Sequence, residues 1–145
     1  MPDKTLRDIS EKMRDIDFTM LVTQTLGGRF AGRPMSNNRE VEYKGDSYYF
    51  TWSHSRMVDD ISRNPNVALS FQTGKNLLGK PGMDIFVQGT ARIVHDRAAF
   101  AEHWNKALER WFKQGVDTPM LVMIKVQAQR VHYWDGKEEG EILVG

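Results

Sequence analysis

The chain has 145 residues, of which 40% are apolar and 27% charged, and this composition suits one globular domain over residues 1–145. Its 20 Lys and Arg against 19 Asp and Glu leave a formal net charge of +1, so a nucleic-acid partner is not expected. The absence of Cys excludes disulfides and Cys-containing metal sites and indicates a reducing compartment. No apolar run approaches the roughly 20 residues that a membrane-spanning helix needs. We therefore expect a cytoplasmic protein without a membrane partner.

A short helix is predicted at the start of the chain. Apolar residues recur there at spacings of three and four, from Leu6 to Ile16, and charged residues occupy the other faces. Asp3 is its predicted N-cap. We therefore expect residues 1–17 to pack against the rest of the domain through one apolar face.

Three extended segments follow this helix. A β-rich run covers residues 18–23, and a second extended segment includes Arg33, because the proline after it disfavours helical backbone. Residues 41–44 and 47–52 flank a turn-forming pair that begins at Gly45. This pattern predicts a β-hairpin.

The second half of the chain mixes helices with strands. Residues 53–64 are predicted as a short helix that ends at a proline, and residues 96–115 as a longer helix with regularly spaced aromatic residues. Strands are predicted over residues 67–73, 83–95 and 120–134, with a bulge or bend at the glycine inside the second of these. The order of elements favours an antiparallel barrel with peripheral helices.

Basic, hydroxyl and aromatic side chains are concentrated in residues 33–36 and 49–56. Guanidinium groups offer a fork of donors to a phosphate, hydroxyl groups complete the oxygen shell, and a helix that begins near Ser55 adds backbone N–H groups. The same residues also fit a plain serine cap beside two solvated arginines, Arg33 and Arg56. The residues alone leave both interpretations open.

Other site chemistries have little support in the sequence. The four histidines show no spacing typical of metal ligands, so we expect no metal site. Residues 74–80 have the glycine and lysine spacing of a phosphate loop, but Pro81 follows where that motif needs a hydroxyl residue. Trp104 and Trp111 have the spacing of residues that pack along one helix, so at most one or two of the tryptophans are expected to contact a planar ligand.

Over residues 6–135 the chain resembles the pyridoxamine 5′-phosphate oxidase-like flavin-binding split barrels, and within them the bacterial general stress proteins. The segments that carry the resemblance are residues 19–25, Arg33-Pro34-Met35, Tyr49-Phe50-Thr51, Ser55-Arg56, residues 64–69, Gly89-Thr90-Ala91, Asp96-Arg97, Trp104, Trp111-Phe112, Gly115 and Tyr133-Trp134.

The resemblance implies a mainly β fold of the α+β type: a six-stranded antiparallel split β-barrel with peripheral helices, followed by a C-terminal tail over residues 136–145. It also implies a homodimer that binds FMN, with FAD as a second possible flavin, at the two subunit interfaces. Trp111 is expected to cover the flavin from the partner subunit, and Trp104 is a weaker candidate. The cofactor-binding residues implied by the resemblance are Arg33, Pro34, Met35, Ser36, Phe50, Thr51, Ser55, Arg56 and Trp111.

The function implied by the resemblance is a flavin-dependent oxidoreductase whose small-molecule redox partner is not identified and whose catalytic residues are not assigned. True pyridoxamine phosphate oxidases end in an Arg-rich segment, whereas residues 138–145 are acidic and then apolar, which disfavours vitamin B6 oxidation. Two alternatives remain open. One is a flavin-binding store or sensor without turnover, linked to stress, and the other is a flavin-free barrel that binds another planar ligand such as haem.

Overall fold

The computed structural model describes residues 4–38, 42–73, 82–136 and 138–144. Within these residues every pairing between neighbouring strands is antiparallel. The helices are α1 (Leu6–Met13), α2 (Arg56–Arg63) and α3 (Arg97–His103), and the strands are β1 (Phe18–Gln24), β2 (Phe30–Ser36), β3 (Asp46–Trp52), β4 (Asn66–Gln72), β5 (Met83–Val94), β6 (Leu121–Asp135) and β7 (Glu138–Leu143). Two short 3₁₀ segments, Lys106–Arg110 and Gly115–Asp117, lie between α3 and β6.

The strands form one curved antiparallel sheet in the order β2-β1-β4-β5-β6-β3, and the sheet does not close on itself. The 15-residue strand β6 pairs with three strands. Its first half pairs with β3, its second half pairs with β7, and β5 pairs with both halves. The register between β5 and β6 shifts between Gln88 and Gly89, which confirms the predicted irregularity. A side chain at Gly89 would collide with the backbone carbonyl of Gln127, so glycine lets the two strands approach closely at the bend.

The antiparallel, mainly β fold is confirmed, but the sheet has seven strands, and the predicted C-terminal tail contains the seventh. Residues 138–143 form β7, which pairs with β6 from Arg130 to Asp135. Its acidic side chains face basic ones across the strands. Glu141 binds Arg130 at 2.8 Å and Glu139 lies 2.8 Å from His132. An Arg–Glu ion pair and a His–Glu hydrogen bond therefore connect β7 to β6, and apolar patterning did not predict this strand.

The predicted hairpin around Gly45 is wrong. Residues 42–45 are not a strand, residue 41 lies outside the described residues, and β3 pairs with β6 instead. Tyr43 is buried, and its backbone N–H donates a 2.7 Å hydrogen bond to the hydroxyl of Ser10 on α1. The segment before β3 is thus attached to the first helix and does not pair with β3.

The predicted helix over residues 96–115 is also wrong in part. Asp96 does cap α3, since its side chain accepts the Ala98 N–H, but the helix ends at His103. Trp104 has extended backbone, and Asn105 then caps a 3₁₀ segment by accepting the Ala107 N–H at 2.8 Å. The aromatic residues keep a helical spacing beyond His103, although α3 ends there and Asn105 begins a separate 3₁₀ segment.

The first helix packs as expected but begins at a different cap. Thr5 and Asp8 form a capping box, in which each side chain binds the backbone N–H of the other. The predicted cap, Asp3, and the loop of residues 74–81 lie outside the described residues. Ile9 and Met13 are buried in the main core with residues of the sheet.

Candidate functional site

A cavity of about 510 Å³ lies between β2, β3, the start of α2 and the segment that follows α3. All nine residues predicted to contact a cofactor line this one cavity, although β2 and β3 are not hydrogen-bonded neighbours. That these residues hold a cofactor remains a prediction. The nine are Arg33, Pro34, Met35, Ser36, Phe50, Thr51, Ser55, Arg56 and Trp111.

The two arginines give the cavity its positive charge, and Ser55 adds a hydroxyl group at the start of α2. Arg56 is the first residue of α2 and is exposed, while the Ser55 side chain caps that helix by accepting the Val58 N–H at 3.4 Å. The simple capping role considered for Ser55 is therefore real, and Ser55 lines the cavity as well. A helix start with a cation beside it is favourable for an anionic group.

Arg33 is half-buried and reaches the cavity from β2. Its Nη1 atom is buried without a hydrogen-bond partner among the described residues. Burial lowers the pKa of the Arg33 guanidinium, and the nearby Asp60 carboxylate acts in the opposite direction. A guanidinium stays charged in spite of such a shift, so the cavity wall holds a partly desolvated cation with unused donor capacity.

Aromatic rings form much of the remaining wall. Phe50 contacts Trp104 edge-on, with ring centroids 4.8 Å apart, and Trp52 lies 4.7 Å from Phe112. Trp111 meets Phe18 edge-on at 6.3 Å at the rim of the cavity and is 44% exposed. Such rings offer flat apolar surface to a planar ligand.

Trp111 lines the cavity of its own chain, beside Phe18. That Trp111 covers a flavin from the partner subunit remains a prediction; within this chain, Trp111 lines the same cavity as the two arginines. Trp104 also has a local role, because it packs on Phe50 in a second core cluster that includes Phe100 and Phe112.

Polar residues that the sequence reasoning did not identify line the cavity as well. His103 stacks on Tyr48 with ring centroids 3.5 Å apart and planes tilted by 13°. The Asn105 side-chain N–H donates to the Asn38 side-chain oxygen at 3.1 Å. None of the four belongs to a recognisable motif: Tyr48 lies within β3, Asn38 follows β2, and His103 and Asn105 lie at the end of α3 and just after it.

This arrangement suits an elongated ligand with an anionic group and a planar apolar body. The guanidinium groups provide charge-assisted hydrogen bonds, and the aromatic walls exclude water from the rest of the ligand. Within the described part of the chain, no three His, Asp or Glu side chains are placed to hold a metal ion. None of the described helices has the length and apolar character needed to cross a membrane.

Comparison with known proteins gives a consistent family assignment. A family model described as "Pyridoxamine 5'-phosphate oxidase like" matches residues 4–144. General stress protein 26 of Bacillus subtilis is 27% identical over 109 residues, which cover 74% of this chain and 76% of that protein. The match to the family model includes the residues of both the cavity and the sheet.

Solved structures with the same fold have low sequence identity. A protein related to general stress protein 26 from Clostridium acetobutylicum has a TM-score of 0.82 at 19% identity, covering 99% of this chain and 97% of that chain. An FMN-binding protein related to pyridoxamine 5′-phosphate oxidase from Nostoc punctiforme gives 0.71 at 13% identity, with both chains fully covered. A haem-binding protein from Mycobacterium smegmatis gives 0.70 at 14% identity, covering 99% of this chain and 60% of that one. The shared fold therefore includes proteins described with different ligands.

Proposed function

Because the chain belongs to the pyridoxamine 5′-phosphate oxidase-like family, we propose that it binds FMN in the cavity and acts as a flavin-dependent oxidoreductase. The observation that carries the proposal is the pairing of two guanidinium groups, Arg33 and Arg56, with aromatic walls in a single cavity of about 510 Å³. FMN combines a phosphate with a planar ring system, so each part of the ligand has a matching surface.

The residues divide between the two parts of the ligand. Arg33, Arg56 and Ser55 hold the phosphate, because two cations and a helix start can offer it several N–H donors. Met35, Phe50 and Trp111 contact the ring, and a bound flavin supplies hydride and electron transfer there. No side chain is assigned as a general acid or base. FAD is the second flavin considered.

The outer face of the sheet supports a homodimer. Met20 on β1 pairs with Ser70 on β4, and Ser70 pairs with Phe86 on β5, so these side chains form one row across the sheet. Met20 and Phe86 remain 40% and 42% exposed. Two large exposed apolar side chains on either side of Ser70 are the feature on which the proposed interface rests.

We propose that a second copy of the chain covers this face, because the face is continuous with the cavity. Phe18 belongs to the outer face of β1 and also lines the cavity beside Trp111. A second copy seated there would cover the open side of the ligand site. The formal net charge of +1 means that two copies repel each other little.

The absorption spectrum of protein purified without added flavin, with mass identification of the released cofactor, tests the ligand. Flavin bands and released FMN are expected, whereas a colourless protein that FMN cannot load contradicts the proposal. Anaerobic addition of NADH or NADPH then separates an enzyme from a store or sensor. Bleaching of the flavin band is expected for the oxidoreductase, and an unreduced flavin favours the non-catalytic alternative.

Haem is the second candidate ligand because His103 lines the cavity and imidazole is a haem-iron ligand. The same spectrum distinguishes the two ligands, since bound haem gives a Soret band and bound flavin does not. A Soret band that His103→Ala removes would replace the FMN proposal.

A further inference from the structure

A second, smaller cavity of about 240 Å³, which we name the side pocket, lies between the end of α1, the start of β3 and the end of α3. It shares Asn38, Tyr48, Tyr49 and His103 with the cavity described above. None of the nine residues predicted to contact a cofactor lines the side pocket. Its volume is below the range typical of drug-sized ligands, so it suits a compact molecule other than a flavin.

The inner end of the side pocket is built from buried aromatic rings. Tyr43, Tyr49 and Phe71 line it, and all three belong to the main core. Tyr43 and Phe71 line only the side pocket, whereas Tyr49 also lines the larger cavity. Aromatic rings bind alkyl chains and, through their faces, cations. The inner end therefore suits the hydrocarbon part of a small ligand.

Two hydroxyl groups of β3 lack hydrogen-bond partners. Ser47 and Tyr49 are two residues apart on the strand and therefore share one of its faces, and both line the side pocket. Tyr49 is 2% exposed, and its hydroxyl oxygen and that of Ser47 are buried without a partner among the described residues. A buried hydroxyl without a partner costs free energy, so a group that binds it is favoured. A hydroxyl group on a ligand can both donate and accept, and it matches this pair.

Carboxylates surround the mouth of the side pocket. Glu42, Asp46 and Glu102 line it and are exposed. Two cations lie nearby: Arg14, which also lines the side pocket, and Lys125, whose Nζ atom is 3.8 Å from Asp46. The larger cavity has the opposite character, because its described lining includes two arginines and no carboxylate. The mouth of the side pocket therefore favours a cation over an anion.

We propose that the side pocket binds a compact protonated amine that carries a hydroxyl group. The carboxylates at the mouth attract the ammonium group, the aromatic rings contact the carbon chain, and the ligand hydroxyl binds Ser47 and Tyr49. The opposite charges of the two cavities direct an anionic ligand and an amine to separate sites that share Tyr48 and His103. The inference goes beyond the proposed flavin site and does not require it.

NMR chemical-shift titrations of the full-length protein as purified test the proposal with three probes. Aminobutanol, butanediol and hydroxybutyrate each have a hydroxyl group at one end of a four-carbon chain and differ in charge at the other end. Aminobutanol should bind about fivefold more tightly than butanediol, the upper size of one exposed ion pair, and hydroxybutyrate should bind most weakly. The signals of Ser47 and Tyr49 should shift. Equal affinities, no binding of aminobutanol, or shifts confined to the larger cavity overturn the proposal.

The charge of the mouth is tested by the double variant Glu42→Gln and Glu102→Gln. Its affinity for aminobutanol should fall about fivefold, to that of butanediol, while butanediol binding stays the same. The matched control is Glu11→Gln, an exposed carboxylate on α1 that does not line the side pocket. If the double variant keeps the aminobutanol affinity of this control, the proposal is overturned.

Tyr49→Phe tests the inner end, because it removes only the hydroxyl group that lacks a partner. The affinity for aminobutanol should fall about threefold to tenfold, the size of one hydrogen bond, while that for butylamine, which has no hydroxyl group, should change less than about twofold. The variant should unfold at the same denaturant concentration as wild type when no probe is present. An unchanged aminobutanol affinity overturns the proposal. A clear loss of stability does so as well, because the Tyr49 hydroxyl would then already have a partner.

Discussion

Arg33 and Arg56 bring the same charge to the cavity from different surroundings. Arg33 is half-buried on β2, while Arg56 is exposed at the start of α2. Salt screens exposed charges far more than partly buried ones. The two side chains therefore differ in how much of their binding contribution survives at high ionic strength.

Substitution of each arginine by alanine separates these contributions. Arg33→Ala should weaken FMN binding about tenfold to a hundredfold, the range for one charge-assisted hydrogen bond, at both low and high salt. Arg56→Ala should cost about as much at low salt and clearly less at high salt. Titration calorimetry at two salt concentrations measures both effects, and Arg29→Ala, an exposed loop arginine, is the control. If the FMN affinities of both variants equal that of Arg29→Ala, the two arginines do not bind the phosphate and the proposed site is wrong.

At the scale of elements, local signals predicted some features and contacts between distant segments determined others. The caps of α2 and α3 and the irregularity at Gly89 follow from single residues whose effect is local. The hairpin failed because β3 takes β6 as its neighbour, a choice made by residues far apart in the chain. The seventh strand was missed because its support comes from distant residues: Glu141 pairs with Arg130 on β6, and Ile142 packs against the main core.

The residues that line the cavity also divide into those that the sequence could identify and those that only the folded chain brings together. The nine predicted residues were selected through the family resemblance; eight lie within residues 33–36 and 50–56, and Trp111 is the ninth. His103 and Asn105 could not be selected, because only the packing of α3 and the following segment brings them to the cavity, beside Tyr48 on β3 and Asn38 after β2.

Gly89→Ala tests the close approach of β5 and β6. The added methyl group meets the Gln127 backbone, which cannot move without disturbing the longest strand. We expect the free energy of unfolding to fall by about 1–3 kcal/mol, measured by chemical denaturation. Gly27→Ala is the control, because nothing lies within 4 Å of a methyl group there. Equal stability of the two variants would contradict the packing described at the bulge.

At the scale of the whole molecule, the outer face of the sheet and the cavity are parts of one surface. Phe18 lies at their junction, and Met20 and Phe86 extend the apolar surface across the sheet. If this face pairs with a second copy, assembly and ligand binding are coupled, because each copy covers the open side of a cavity.

Phe86→Lys tests the dimer, since a lysine in the middle of an apolar interface places an unpaired charge there. Wild type is expected to be dimeric and the variant monomeric in sedimentation velocity, with a weaker affinity for FMN. Leu26→Lys, in an exposed loop, should remain dimeric. A monomeric wild type would contradict the interface, and a dimeric Phe86→Lys would place it on another surface.

The affinity of the purified wild-type protein for FMN, compared with riboflavin by titration calorimetry, tests the central claim most directly. If Arg33 and Arg56 form a phosphate site beside aromatic walls, FMN should bind at least about tenfold more tightly than riboflavin. Equal affinities, or no binding of FMN, would contradict the account.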